Sequence, residues 1–323
     1  MAVLGANTEL GGAFLDILEK EKFLYNDIRL FCLQKENDII MKVKLRGYDI
    51  SIEFFEKRKI NKSNIIIICQ SEFLSKEHLS IFLSNKDIKI LDITGNIQYI
   101  KEYNNIPVII PKIKNIDIIE KDYPIIGSPS SVGIIISKVL NGIKHNFGVI
   151  IKVLVVCETN TKNPLVSVNN FDNSFIKFNT ETINKKSKCC QAEEKRLQTE
   201  IKLLLNIKSR ITILGSVSFN TPQNVVNIMV SIKLKEKITV ERFKNEVLKK
   251  IKNVKYIENM SDMDILSLNK FKELNINKGE TILLYGLQQN NNLRLTDDFR
   301  FYMMGNYYSC GLASNGLEIL KIL

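Results

Sequence analysis

The spacing of apolar residues divides the first part of the chain into short buried strands and amphipathic helices. Apolar runs of strand length occupy residues 1–5, 28–33, 65–69, 88–92 and 108–110, residues 43–52 alternate like a hairpin, and helical spacing marks 14–18 and 74–83. Strands that alternate with helices favour a parallel sheet with helices on both faces. We therefore predict an α/β fold with a Rossmann-type doubly wound parallel sheet in this part.

The pattern changes after Ser131, where a helix follows the short strand at 125–126. Further strands are predicted at 149–157, 211–217, 225–234, 254–257 and 282–287, with helices at 193–205, 240–251 and 312–323. Long polar links between strands favour an α+β domain with a mostly antiparallel or mixed sheet. We assign residues 1–128 and 308–323 to the Rossmann-type domain and residues 129–307 to the second domain.

The turn between the first strand and the first helix is the candidate cofactor site. A glycine turn at this place holds a dinucleotide pyrophosphate at the helix N-terminus. The spacing here is G-x-x-T-x-x-G, so Thr8 stands where a glycine would let the backbone approach a phosphate. Gly5 and Gly11 also have a purely geometric explanation, because any strand-to-helix turn of this kind uses them.

The candidate cofactor contacts in this turn are Gly5, Asn7, Thr8, Glu9, Leu10 and Gly11, and Lys35 joins them from the end of the second strand. Lys35 would meet the 2′-phosphate of NADP. The adjacent Glu36 would repel that phosphate and suit the free hydroxyl of NAD. We expect binding of NADP or NAD to be weak or lost, because Thr8 replaces the middle glycine.

The second candidate site is the turn Ser128-Pro129-Ser130-Ser131. Ser131 falls in the first turn of a predicted helix, where free N–H groups and the helix dipole suit a nucleophile. A serine there needs an adjacent base. The chain has two histidines, His78 on another element and His145 about 21 Å along the same helix at 1.5 Å per residue. We therefore interpret Ser131 as a helix-cap serine rather than a nucleophile.

Composition excludes several classes of protein. No apolar run of the 323 residues approaches twenty, and no basic leader opens the sequence, so we expect a cytoplasmic protein without membrane contact. The six cysteines show no C-x-x-C pairing and no histidine at ligand spacing, which argues against disulfides and metal. Adjacent Cys189 and Cys190 are interpreted as incidental rather than as a redox switch.

A formal charge of +11 would suit nucleic acid, since a basic surface attracts phosphate. The lysines are scattered, however, and their two clusters at 185–188 and 249–252 are not interleaved with aromatic residues. We expect no nucleic-acid partner and attribute the charge to solvated faces. A basic module that binds nucleic acid remains one of three hypotheses, and its test is a DNA shift with steep salt dependence.

Five segments match, in order and spacing, the motifs of one known family. They are Val3-Leu4-Gly5-Ala6 with Gly11, Leu91-Asp92-Ile93-Thr94-Gly95, Ile106-Pro107-Val108-Ile109-Ile110-Pro111, Ser128-Pro129-Ser130-Ser131 and Phe219-Asn220-Thr221-Pro222. Along nearly its whole length the chain thereby resembles aspartate-semialdehyde dehydrogenases and, within them, the Usg-like branch, which has serine at the nucleophile position. The resemblance implies the two-domain fold shared with glyceraldehyde-phosphate dehydrogenase, including a dimerisation domain.

The family reduces 4-aspartyl phosphate to aspartate semialdehyde with NADPH in amino-acid biosynthesis, through a thioester on a cysteine and a histidine acid/base. The resemblance places Ser131 at the position of the catalytic cysteine and Pro222 at that of the histidine. Glu158 falls on a glutamine beside the nucleophile, and Gln98 and Gly215 fall on two arginines that bind the substrate. Glu194 and Arg196 fall on the family's Glu-x-x-Lys helix, with a shifted spacing. We expect no physiological turnover by this mechanism.

The resemblance implies that the chain forms a homodimer, or a heterodimer with an active paralogue. The favoured hypothesis is a non-catalytic paralogue that keeps the dimeric scaffold. The alternative is an NAD(P)-dependent oxidoreductase of altered or weak activity, in which Ser131 and Glu158 serve another substrate.

Overall fold

The computed structural model describes residues 1–33, 41–60, 63–103, 105–111, 113, 123–159, 194–206, 210–217, 224–251, 253–258, 281–289 and 295–323. The chain forms two compact units. Unit 1 comprises Met1–Ser130 and Gly311–Leu323, and unit 2 comprises Ser131–Cys310. In the described residues, no helix combines the length and the apolar character that crossing a membrane requires.

Unit 1 contains a seven-stranded sheet in the order β3-β4-β2-β1-β5-β6-β7. Its strands are β1 (Ala2–Leu4), β2 (Arg29–Cys32), β3 (Lys42–Leu45), β4 (Tyr48–Phe54), β5 (Ile65–Ile68), β6 (Lys89–Asp92) and β7 (Ile125–Gly127). Every neighbouring pair is parallel except the β3–β4 hairpin at the edge. The predicted Rossmann-type doubly wound sheet is thus confirmed.

Unit 2 contains a six-stranded mixed sheet in the order β11-β12-β13-β10-β8-β9. Its strands are β8 (Ile150–Thr159), β9 (Arg210–Val217), β10 (Val225–Ile238), β11 (Val254–Ile257), β12 (Ile282–Gln289) and β13 (Thr296–Asn306). The central pairs β8–β10, β10–β13 and β12–β13 are antiparallel, and the outer pairs are parallel. The predicted α+β domain with a mostly antiparallel sheet is confirmed as well.

The helices lie at the predicted positions, except for a short helix at Lys57–Ile60 that the sequence did not predict. They are α1 (Glu9–Lys20), α2 (Lys57–Ile60), α3 (Lys76–Leu83), α4 (Ser131–Phe147), α5 (194–205), α6 (Val240–Lys250) and α7 (Ser314–Leu320), and a π-helix (Tyr307–Ala313) precedes α7. In unit 1, α7 packs on α1 and β6. In unit 2, α6 covers one face of the sheet through Phe243, whose ring stacks on Phe299 at 4.4 Å and on Phe147 at 5.5 Å.

The predicted strand at 108–110 is wrong. Val108 makes only an isolated parallel bridge to Gly127. Two backbone bonds hold it, from Ile109 N to the Gly127 carbonyl at 3.1 Å and from Gly127 N to the Pro107 carbonyl at 2.9 Å. Prolines at 107 and 111 flank the segment, and proline lacks the N–H that would extend the ladder.

Candidate functional site

The β1–α1 turn brings together the predicted cofactor contacts of unit 1. Gly5 has a φ of +82°, and a Cβ there would lie 2.5 Å from Cβ of Gln70. A Cβ on Gly11 would lie 2.1 Å from the Gly5 carbonyl oxygen. Both positions therefore need glycine because the chain packs closely on itself, and that packing by itself does not indicate a ligand.

Thr8 closes this turn with its side chain. It is the N-cap of α1, where its Oγ1 accepts a hydrogen bond from Gly11 N at 3.0 Å. The same hydroxyl donates to the Gly5 carbonyl at 2.7 Å, with a longer approach of 3.4 Å to the Cys69 carbonyl. One side chain thus links the ends of β1 and β5 to the start of α1.

The groups around the turn are mainly oxygen acceptors. Asn7 Oδ1 and Gln70 Oε1 are buried and have no hydrogen-bond partner among the described residues. Glu9 is exposed in the first turn of α1, and Leu10 is buried in the core rather than turned to solvent. Lys35 lies outside the described residues.

A buried carboxylate shapes the loop after β6, and the sequence had not indicated it as part of the site. Asp92 accepts hydrogen bonds from Thr94 N at 2.8 Å, Thr94 Oγ1 at 2.7 Å and Ile97 N at 3.0 Å. Burial raises the pKa of Asp92, and the hydrogen bonds from Thr94 and Ile97 oppose that rise. Gln98 follows in a short 3₁₀ helix and donates from Nε2 to the Gly95 carbonyl at 3.3 Å.

Asn315 on α7 is a second polar residue that sequence reasoning missed. It is 1% exposed, and its Nδ2 donates to the Ile109 carbonyl at 3.0 Å and to Ser128 Oγ at 2.8 Å. Its Oδ1 is buried without a hydrogen-bond partner among the described residues. Its signal in the sequence was weak, since the same helix also contains the polar residues Ser314 and Glu318.

Ser131 begins α4 in unit 2 and is fully buried. Its Oγ donates a short hydrogen bond to the Tyr307 carbonyl. His145 is exposed in the last turn of the same helix, about 21 Å away at 1.5 Å per residue. The hydroxyl proton is therefore held by a backbone carbonyl, which cannot act as a general base.

His78 belongs to the packing of unit 1. Its ring lies 5.3 Å from the rings of Phe55 and Phe73, and its Nδ1 is 2.9 Å from Ser75 Oγ. Ser75 is the N-cap of α3, so the histidine completes a helix start.

The remaining predicted site residues of unit 2 are spread over several elements. Glu194 is half-buried and Arg196 is exposed near the start of α5, and residues two apart do not face each other on a helix. Burial raises the pKa of the Cys157 thiol, and the charge of Glu194 adds to that rise. The backbone of Glu158 pairs with Asn227 and Ser216 at the end of β8. Pro222 lies outside the described residues.

Among the described residues, no group of three or more His, Cys, Asp or Glu side chains is placed to hold a metal ion.

Comparisons with known proteins give the fold. No family model matches the sequence, and no curated protein matches it. Solved structures do match: aspartate semialdehyde dehydrogenase II from Vibrio cholerae (TM-score 0.71, 14% identity, 100% of this chain and 97% of that one) and a probable aspartate-semialdehyde dehydrogenase from Pseudomonas aeruginosa (0.72, 12%, 100% and 97%). Aspartate semialdehyde dehydrogenase with NADP from Candida albicans also matches (0.67, 14%, 100% and 98%). At this identity the likeness establishes a shared fold.

Proposed function

We propose that the chain is a Usg-like homologue of aspartate-semialdehyde dehydrogenase that does not catalyse the family reaction and serves as a dimeric scaffold or binding protein. The observation that carries the proposal is the state of Ser131. Its hydroxyl is fully buried and donates to the Tyr307 carbonyl. The full-length structural likeness to these dehydrogenases supports the relationship.

The physical argument rests on the difference between an alcohol and a thiol. A helix N-terminus brings a cysteine pKa from ~8.5 to roughly 3.5–7.5, so that thiolate forms at neutral pH. An alcohol is not ionised by that field and needs a base, and loss of acid/base catalysis alone costs about 10²- to 10⁴-fold in rate. Pro222 has no proton to exchange at the position that the resemblance assigns to the acid/base.

The direct test is an absorbance assay of nicotinamide reduction with aspartate semialdehyde, phosphate and NADP. We expect no turnover above the uncatalysed rate. Turnover at the rate of a biosynthetic enzyme would overturn the proposal.

A restoration experiment tests whether the chain could still bind the family's substrate. The double variant Ser131→Cys with Pro222→His returns the two catalytic groups, and Ser137→Cys on the same helix is the control for a new buried thiol. We expect the double variant to stay inactive, because Gln98 and Gly215 replace the two arginines that would bind the substrate. Efficient turnover by the double variant would show that substrate binding survives.

The partner that we propose is a second copy, docked on the face of the unit 2 sheet opposite α6. Register aligns Leu214, Val156, Met229 and Tyr302 side by side on β9, β8, β10 and β13. Leu214 is 47% exposed and the other three are half-buried. A continuous apolar row on a sheet face suits a second sheet face, since exposed apolar patches mark interaction surfaces.

The oligomeric state tests this partner. We expect the wild-type chain to sediment as a dimer and Met229→Lys to sediment as a monomer, because a charge in the middle of the apolar row would be buried without a counter-ion. Leu24→Lys, at a site 85% exposed in unit 1, is the matched control and should stay dimeric. A wild-type monomer, or a dimeric Met229→Lys, would contradict the proposed face.

One observation favours the alternative of an altered NAD(P)-dependent oxidoreductase. The unmatched Oδ1 of Asn315 could accept a hydrogen bond from the N–H group of a ligand such as a carboxamide. Asn315→Ala would then weaken binding of NADP or NAD. If the wild-type chain binds neither compound, this alternative fails.

A further inference from the structure

We propose that Thr8 fills, with its own hydroxyl, the place in the β1–α1 turn where a dinucleotide pyrophosphate would bind, so that unit 1 excludes that group. The inference deepens the proposed function, because it gives a structural reason for loss of the cofactor. It concerns binding rather than turnover, so the two can fail separately.

One N–H group that the start of α1 would offer to an anion is used by Thr8 instead. Gly11 N donates to Thr8 Oγ1 at 3.0 Å, and Thr8 N donates to the Gly5 carbonyl at 3.0 Å. Anion sites at helix N-termini depend on such donors pointing at the ligand. A phosphate here would have to displace the threonine side chain first.

The hydroxyl is also held from behind, so displacing it has a cost. Thr8 Oγ1 donates to the Gly5 carbonyl at 2.7 Å and lies 3.4 Å from the Cys69 carbonyl. A phosphate would have to break this hydrogen bond to enter the turn.

Three further groups around the turn would repel a phosphate. Asn7 and Gln70 contribute buried amide oxygens without hydrogen-bond partners in the described part of the chain. Glu9 contributes a carboxylate in the first turn of α1, at the end of the helix that would hold the pyrophosphate. Among the described residues, these groups lower the positive potential that the start of α1 would offer to a pyrophosphate.

Calorimetric titration of the full chain with NADP and with NAD tests the inference. The variants are Thr8→Gly, the double variant Thr8→Gly with Glu9→Gln, and Thr8→Ser as the control that keeps the hydroxyl. Glycine is an accepted N-cap residue, so Thr8→Gly should fold, and a thermal melt of each variant checks this. Thr8→Ala is the second variant without a hydroxyl.

We expect no saturable binding by the wild-type chain or by Thr8→Ser up to millimolar NADP or NAD. The double variant should bind at least tenfold more tightly than the wild-type limit, with Thr8→Gly between them. Micromolar binding by the wild-type chain would overturn the inference while leaving the proposal about turnover intact. Equal lack of binding by the wild-type chain and all folded variants would also overturn it, because Thr8 would then not be what excludes the ligand.

Discussion

Thr8 and Ser131 carry hydroxyls at the starts of two helices that each follow a short strand, and the two hydroxyls differ in how far along the chain their partners lie. Thr8 accepts from the backbone of its own helix and donates to a carbonyl three residues before it. Ser131 donates to Tyr307, which is 176 residues away along the chain. The first hydroxyl stabilises a local turn, and the second ties α4 to a distant segment of unit 2.

The comparison separates a local bond from a remote one. In both turns the hydroxyl at the helix start is satisfied by the chain itself. We expect the two hydrogen bonds to contribute different amounts to the free energy of unfolding, so substitutions of Thr8 and Ser131 can measure each contribution.

The largest effect is expected for Gly11→Ala. The new methyl group would lie 2.1 Å from the Gly5 carbonyl oxygen, which is backbone that cannot move without breaking the turn. We expect the free energy of unfolding to fall by about 3 kcal/mol or more. Gly12→Ala is the matched control: nothing lies within 4 Å of its added Cβ, and alanine there favours the helix. Urea denaturation checks both, and equal stability of the two variants would contradict the close packing.

The next largest loss of stability is expected for Ser131→Ala, and Ser137, a second buried serine of α4, is its control. Ser131→Ala leaves the Tyr307 carbonyl without this donor, and we expect a loss of about 1–3 kcal/mol. Ser137→Ala removes a buried hydroxyl that has no hydrogen-bond partner among the described residues, so it should be neutral or stabilising. Thermal melts of the two variants would sharpen the comparison. A stable Ser131→Ala would mean that the remote bond contributes nothing.

Thr8 should be easier to replace than Ser131. Thr8→Ala removes the N-cap and should cost about 1 kcal/mol, whereas Thr8→Gly should cost only a few tenths. Urea midpoints of these variants measure the local bond directly. A cost of Thr8→Ala well above that of Ser131→Ala would reverse the comparison between the local and the remote hydroxyl.

The smallest expected effect is on the dependence of stability on pH, and it comes from a charged group at a strand end. Because the pKa of Asp92 is raised in the folded state, the native chain binds this proton more tightly than the unfolded chain, whose Asp pKa is ~3.9. Stability should therefore fall as pH rises from ~3.9 through the raised value, and then level off.

Asp92→Asn is the variant that isolates this slope. It removes the titration and also loses the acceptor for Ile97 N, so it should be less stable overall. The difference in unfolding free energy between wild type and Asp92→Asn should shrink as pH rises through that window. A difference that grows with pH would show that the pKa of Asp92 is lowered in the folded state instead.

The architecture could be predicted from the sequence, but the hydrogen-bond partners of the polar side chains could not. Apolar spacing placed both sheets and the helices, because burial of alternate residues and of helix faces leaves a periodic trace. The segment 108–110 was apolar enough for a strand, yet its flanking prolines limit it to one bridge.

The contacts of the candidate site differ in how far the sequence could indicate them. The cap by Thr8 was not predicted, although residue type and position would have allowed it, whereas the bond of Ser131 to Tyr307 depends on the tertiary fold. For the same reason the burial of Asp92 and the unmatched oxygen of Asn315 left no local signal.

Unit 1 is discontinuous in sequence, since residues 311–323 return to it after the whole of unit 2. Helix α7 packs on α1, and Lys321 forms an ion pair with Glu21 at 3.1 Å. During synthesis the surfaces of α1 and β6 that α7 covers stay open until residues 311–323 have been made, whereas unit 2 is contiguous in sequence. Chaperones that bind apolar surface of a nascent chain would therefore have longer access to these surfaces than to the core of unit 2.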